Sequence, residues 1–96
     1  MRVRFTETAL TEVGEIFSYI AQRNRSAAID VRERIERTVE ALAEIPQMAQ
    51  VSDDMGVRRM PVTSYPYVIF YAVEANELVV LHVRHGARRP LVEPKK

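Results

Sequence analysis

The sequence predicts an α+β domain of order β-α-α-β-β-β, in which a helical hairpin packs on one face of a small antiparallel sheet. Up to Ile45, apolar residues recur every three or four positions, a period typical of amphipathic helices. Beyond Val57 they alternate with polar residues or form apolar runs, as strands do. The 96 residues suit one domain, which we place at residues 1–92 with a short tail at 93–96.

The first strand and the first helix follow from the N-terminal residues. Charged and apolar residues alternate in Arg2–Phe5, which indicates a half-buried strand. Thr6 is placed to act as the N-cap of a helix. The apolar stripe of this helix consists of Leu10, Val13, Ile16, Phe17, Ile20 and Ala21. Gly14 interrupts the stripe, and we expect a second helix to approach it closely.

A second helix is predicted after a polar break at residues 24–26. Ser26 is expected to cap it. Its apolar stripe consists of Ala28, Val31, Ile35, Val39, Leu42 and Ile45. Pro46 disfavours helical geometry at the preceding residue, so the helix should end at Ile45.

Three strands are predicted in the second half of the chain. Val57–Val62 contains Pro61, which places it at a sheet edge or near a bulge. Tyr67–Val73 is apolar on both faces, as a central strand is, and Leu78–Val83 is predicted to be a second central strand. Residues 74–77 then form a hairpin loop.

The composition excludes several classes of protein. Cysteine is absent, which rules out disulfide frameworks, thiol catalysis and thiolate metal sites. The apolar stretches are far shorter than the roughly 20 residues of a membrane span, and residues 1–5 do not resemble a signal peptide. We therefore expect a cytoplasmic protein with no metal, no cofactor and no membrane association.

The charge is unevenly distributed along the chain. Residues 1–56 contain seven Arg against ten acidic residues, whereas residues 57–92 contain five Arg against two acidic residues. An anionic partner on one side of the molecule would produce this asymmetry, although helices rich in Glu–Arg pairs would also produce it.

Three segments resemble the ParE/RelE superfamily of bacterial toxins. Val57–Val62 resembles the second strand of that family, Tyr65–Tyr71 closely resembles its third strand, and Val83–Pro90 resembles the terminal histidine–glycine signature frequent in the ParE branch. With the helical hairpin, the resemblance covers nearly the whole chain. It implies a type II toxin neutralised by a cognate antitoxin in a hetero-oligomer.

The resemblance also implies where partners bind. An antitoxin segment would lie over the helical hairpin and across the sheet, on Leu10, Val13, Phe17, Arg58, Arg59 and Tyr71. Target contacts are expected at the strand end and beyond it, on Arg84, His85, Arg88 and Arg89. The chain has no basic recognition helix, so no direct sequence-specific DNA binding is expected.

Family members either cut mRNA on the ribosome or bind DNA gyrase without chemistry of their own. A nuclease here could use Arg58, Arg59, Arg84, His85 and Tyr71. The well-studied nuclease branch, however, uses lysines and a C-terminal aromatic, while this chain has no Lys before Lys95 and no aromatic after Tyr71. We therefore expect gyrase inhibition by binding, with ribosome-dependent mRNA cleavage as the alternative.

The alternative to a functional role for the aromatic and histidine residues is a purely structural role. Tyr67 and Tyr71 share one strand face and are expected to pack in the core with solvated hydroxyls. His82 is expected to face the packed or partly packed side of the sheet as an ordinary strand residue. His85 can cap the strand end, and Gly86 can permit a bend after it.

Overall fold

The computed structural model describes residues 1–51 and 55–86. The elements, in chain order, are β1 (Arg2–Phe5), α1 (Glu7–Ala21), α2 (Arg25–Glu44), a 3-10 turn (Pro46–Met48), β2 (Gln50–Val51), β3 (Arg58–Pro61), β4 (Tyr67–Glu74) and β5 (Glu77–His85). The predicted α+β class and order are confirmed, with β2 as an additional two-residue strand. The predicted domain end at residue 92 lies outside the described residues and stays a prediction.

The sheet is mixed, and the expectation of a purely antiparallel sheet was wrong in this respect. Its strand order is β1-β5-β4-β3-β2, and β1 runs parallel to β5 while the other neighbours are antiparallel. A parallel neighbour needs a long crossover rather than a tight turn. Here the crossover contains the helical hairpin and three strands, so the pairing is invisible to local sequence patterns.

Two of the three helix ends predicted from the sequence agree with the structure. The Thr6 side chain accepts a hydrogen bond from the backbone N–H of Ala9 at 3.0 Å, as an N-cap does. The second helix is capped by Asn24, whose Oδ1 accepts from Ala27 N–H at 3.0 Å, so the assignment of the cap to Ser26 was wrong. Ile45 has left helical geometry, as Pro46 requires.

Gly14 is not a site of close helix approach. A Cβ built on it would meet no atom within 4 Å. The two helices therefore touch through other positions of α1, and Gly14 lies on its exposed surface.

The core lies between the helical hairpin and one face of the sheet. On α2 the buried residues recur at three- and four-residue spacing as predicted, and they are Ala28, Val31, Ile35, Val39 and Leu42. All of these except Ala28 pack in one cluster with side chains of β4 and β5, among them Ile69, Tyr71, Leu78, Val80 and Val83. Burial of this face holds the helices on the sheet.

A β-bulge at Leu81 decides which side chains of β5 face the helices. Tyr71 pairs with Val80 and Phe70 pairs with His82, which leaves Leu81 as the extra residue. The residues on the helix side are therefore Leu78, Val80, Val83 and His85. Without the bulge, strict alternation would turn His82 and Arg84 towards the core.

Candidate functional site

Strand β5 extends beyond its parallel neighbour, and within the described part of the chain one edge of its C-terminal half has no strand partner. The ladder between β1 and β5 ends at the pair of Phe5 and Val80. Thr6 continues it by one step, since its backbone N–H donates to the Val80 carbonyl at 3.0 Å and its hydroxyl donates to the Leu81 carbonyl at 3.2 Å. The chain then enters α1, which crosses the remaining edge.

Glu12 of α1 occupies this open edge. Its Oε1 accepts a hydrogen bond from the backbone N–H of Val83 at 2.9 Å. Its Oε2 lies 3.2 Å from Nδ1 of His82 and 3.9 Å from Nε of Arg84. One carboxylate thus contacts three consecutive residues of β5 and satisfies a backbone donor that would otherwise lack a partner.

Glu12 was not among the site residues expected from the sequence. A weak signal was available, because Glu12 lies one helical turn before Ile16 and so flanks the apolar stripe. The bulge turns His82 to the face of the sheet away from the helices, where its half-buried ring reaches the sheet edge at Glu12.

Arg84 is held only in part by this carboxylate. Its Nε is buried and has no hydrogen-bond partner among the described residues, and the separation from Glu12 exceeds hydrogen-bond distance. The side chain keeps 29% of its surface exposed. Arg84 therefore presents a guanidinium whose hydrogen-bonding capacity is not used up within the described part of the chain.

A groove opens between α1 and the end of the sheet, with a volume of about 620 Å³. Its lining residues are Glu12, Glu15, Ile16, Tyr19, Tyr67, Val83, Arg84 and His85. The rings of Tyr67 and His85 meet edge to face, with centroids 5.6 Å apart and planes at 79°. The groove combines aromatic surface with charges of both signs, a composition suited to protein contacts.

Arg58 and Tyr71 form a second cluster on the helix side of the sheet, where they are paired across β3 and β4. Arg58 donates to the Ala49 carbonyl at 2.6 Å, and the Tyr71 hydroxyl donates to the Pro46 carbonyl at 2.7 Å. Tyr71 is fully buried, so the expectation of a solvated hydroxyl was wrong. Burial raises the pKa of Tyr71, and the nearby Arg58 offsets this only in part.

Arg59 points to the opposite face of the sheet from Arg58. It is paired with Phe70, and its guanidinium carbon lies 5.9 Å from the centre of that ring. The strand register places Arg84 on the same face, beside Val68. Because adjacent residues of a strand point to opposite faces, only one of the two arginines shares a face with Arg84.

The other predicted contact residues lie on α1. Leu10 is 58% exposed, whereas Val13 and Phe17 are half-buried against α2. The Phe17 ring lies beneath the guanidinium groups of Arg25 and Arg32, at 5.8 and 4.9 Å. Arg88 and Arg89, which were expected to contact the target, lie outside the described residues.

Two further features can be assessed for residues 1–51 and 55–86. No cluster of three or more His, Asp or Glu in these ranges could hold a metal ion. No helix in the same ranges combines the length and apolar character needed to cross a lipid bilayer.

Comparison with known proteins identifies the family. The model of the ParE toxin of type II toxin–antitoxin systems matches residues 3–90. A candidate toxin of Sinorhizobium fredii, Y4kP, is 33% identical over 85 residues, which are 88% of this chain and 88% of that protein.

Two solved structures have the same fold. The chromosomal ParDE toxin–antitoxin system of P. aeruginosa matches with a TM-score of 0.77 and 19% identity over 88% of this chain and 95% of that one. The intact E. coli RelBE toxin–antitoxin complex matches with a TM-score of 0.66 and 20% identity over 91% of this chain and 98% of that one. Because the family match spans most of the chain and the fold agrees, the chain belongs to the ParE toxin family of type II toxin–antitoxin systems, within the ParE/RelE superfamily.

Proposed function

We propose that this toxin acts by binding DNA gyrase and has no catalytic step of its own. The observation that carries the proposal is the dispersal of the five residues that a nuclease would use. Arg58 and Tyr71 lie at one place on the helix side, Arg59 lies on the other face, and Arg84 and His85 lie at the strand end.

The distances along the sheet make a shared active site unfavourable. His85 is paired with Tyr67, which is four residues from Tyr71 on β4. At about 3.3 Å per residue, that separation is roughly 13 Å. RNA cleavage needs its base, acid and cations around one phosphate, within hydrogen-bond reach of the reacting atoms.

Tyr71 and Arg58 are also occupied by structural contacts. The hydroxyl of Tyr71 is buried and donates to a backbone carbonyl, and Arg58 likewise donates to the backbone of the segment that precedes β2. A substrate could reach the Tyr71 hydroxyl only if the Pro46–Met48 turn moved away. These two residues therefore serve the fold, and Tyr71 is not a contact for an antitoxin in this conformation.

The strand end is the surface that we assign to the target. Arg84 and His85 border the groove beside α1, and Arg88 and Arg89 follow them in the sequence. Arginine is well suited to paired hydrogen bonds with carboxylates of a protein partner. The apolar and aromatic lining of the groove supplies the anchoring surface that such interfaces use.

An antitoxin is the second partner that we propose. The ParDE and RelBE structures are toxin–antitoxin systems, and an antitoxin of this chain would cover the exposed side of α1 at Leu10, Val13 and Phe17. Arg25 and Arg32 above Phe17 favour an acidic segment there. Both proposed partners place the toxin in the cytoplasm.

The target is tested by two assays with the same purified toxin. We expect inhibition of gyrase supercoiling and accumulation of gyrase-cleaved DNA, with no mRNA cuts during in vitro translation. The cognate antitoxin, produced from the adjacent gene, should reverse both gyrase effects. Site-specific mRNA cleavage without any effect on gyrase would replace the proposal by a ribosome-dependent nuclease.

A further inference from the structure

We infer that Glu12 is a positioning residue, which holds the Leu81–His85 end of β5 so that Arg84 and His85 are presented to the target. The inference rests on the proposed target surface at the strand end. It concerns a residue that lines the groove beside that surface and was not among the contact residues expected from the sequence.

The carboxylate replaces a missing strand. Beyond Val80, β5 has β4 on one side, and residues 1–51 and 55–86 place no strand on the other. Glu12 accepts from Val83 N–H at 2.9 Å, at the position where a neighbouring strand would supply a carbonyl. The contact joins residues 71 positions apart, so it ties the first helix directly to the last strand.

The same carboxylate contacts the side chains on either side of Val83. His82 Nδ1 and Arg84 Nε approach Oε2 at 3.2 and 3.9 Å, and Glu12 itself is only 20% exposed. A negative charge so little exposed to solvent restrains a cationic neighbour more strongly than a surface pair does. It therefore biases the orientation of Arg84 as well as the strand backbone.

The bulge makes this restraint necessary. Leu81 has no partner in the register of β4, so the ladder is locally interrupted just before the residues that Glu12 contacts. Without Glu12, the Val83 N–H loses its acceptor, and the strand can relax about the bulge. The Arg84 and His85 side chains would then no longer be held in their positions beside the groove.

The test compares Glu12→Ala, which removes the acceptor, with Glu12→Gln, which keeps an oxygen for Val83 N–H. Two controls accompany them. Glu7→Gln makes the same charge change at an exposed position of the same helix. Ile35→Val lowers stability in the α2 core, away from the strand end, so that its urea midpoint can be matched to that of Glu12→Ala.

Three readouts are measured for each variant. The first is amide hydrogen exchange of Val83, with Ile69 of β4 as an internal reference. The second is the 15N chemical shift of the His82 ring nitrogens, which reports its contact with Glu12. The third is the inducer concentration that halves the growth rate of cells expressing the toxin.

For Glu12→Ala we expect about a tenfold loss of protection at Val83 relative to Ile69, as for a lost charge-assisted hydrogen bond. The His82 shift should change, and growth arrest should need a several-fold higher dose than for Ile35→Val of equal stability. Glu12→Gln should restore most of the Val83 protection and of the growth arrest, and Glu7→Gln should match the wild type.

Two results would overturn the inference. One is unchanged Val83 protection in Glu12→Ala. The other is growth arrest equal to that of Ile35→Val at matched stability, which would show a purely structural role. Val83 protection and growth arrest are both measured without a gyrase assay. A wild-type toxin that arrests growth without affecting gyrase would therefore defeat the proposed target, while the Glu12 variants would still test the positioning role.

Discussion

The hydroxyl of Tyr71 donates a 2.7 Å hydrogen bond to the carbonyl of Pro46, and this bond joins the centre of the sheet to the turn that follows α2. The Tyr71 side chain has no exposed surface. A tyrosine that sequence similarity would offer as a catalytic group is therefore a buried link between two parts of the fold. Two predictions separate these roles.

Replacing Tyr71 by Phe should destabilise the toxin without abolishing its activity. The Pro46 carbonyl would lose its donor in a part-buried setting, at a cost of about 1–2 kcal/mol. Urea unfolding measures this free energy, and growth arrest measures activity. Tyr19→Phe is the matched control, since Tyr19 is 65% exposed and should tolerate the change. Full loss of growth arrest by a folded Tyr71→Phe protein would restore Tyr71 as a functional residue.

The stabilisation by Tyr71 should disappear at alkaline pH. Burial raises the pKa of Tyr71 in the folded state, so folding favours its neutral form. Its contribution is fully present below the unfolded pKa of about 10 and is lost as pH rises through the folded pKa.

The wild type should therefore exceed Tyr71→Phe in the free energy of unfolding at pH ~8, and the difference should shrink by pH ~11. Taking this difference cancels the titration of the three other tyrosines. A constant difference across this range would contradict the assignment of a buried, neutral hydroxyl.

Replacing Ala75 by Gly should stabilise the hairpin between β4 and β5. Ala75 and Asn76 form its two-residue turn, with φ of 47° and 64°. A left-handed alanine is disfavoured by about 1–2 kcal/mol, and the greater backbone entropy of glycine offsets part of the gain. We expect a net increase of roughly 0.5–1 kcal/mol in the free energy of unfolding.

The same substitution at Ala41 should change the free energy of unfolding in the opposite direction. Ala41 is exposed in the last turn of α2, where glycine should destabilise by roughly 0.5–1 kcal/mol. Equal effects of Ala75→Gly and Ala41→Gly would show that the turn is not strained at Ala75.

Leu10→Asp should weaken antitoxin binding without affecting the fold. Leu10 is 58% exposed, so its replacement should change stability by less than about 0.5 kcal/mol. Burial of this side chain under an antitoxin would be worth about 1.5–3 kcal/mol, and a carboxylate would repel an acidic segment. Calorimetry with the cognate antitoxin should show at least a tenfold rise in Kd, while Thr11→Asp on a neighbouring exposed position should leave Kd near the wild-type value.

Removal of the two arginines after the strand end should weaken toxicity. Arg88→Ala combined with Arg89→Ala is expected to raise the dose needed for growth arrest several-fold, because it removes two guanidinium groups from the proposed target surface. Lys95→Ala with Lys96→Ala removes the same charge from the same end of the chain and is the matched control. An equal loss of toxicity in both double variants would show that the effect comes from net charge alone. No loss of toxicity in either variant would exclude this segment from the mechanism.

The sequence determined the elements whose cause is local. The stripe from Ala28 to Leu42, the stop before Pro46 and the apolar run from Tyr67 each depend on the spacing of neighbouring residues. The motifs at Val57–Val62, Tyr65–Tyr71 and Val83–Pro90, taken together with the helical hairpin, suggested the family. Short-range patterns could not distinguish Asn24 from Ser26 as the cap, since both residue types perform that role.

Only the tertiary structure decided the arrangement of the site. The parallel pairing of β1 with β5 joins the two ends of the chain, and no local pattern encodes a contact between residues more than 70 positions apart. The bulge at Leu81 turns His82 and Arg84 away from the core, and Glu12 then meets them at the open strand edge. The bulge and the Glu12 contact depend on which backbone groups of β5 have no strand partner. Only the assembled sheet determines which groups these are.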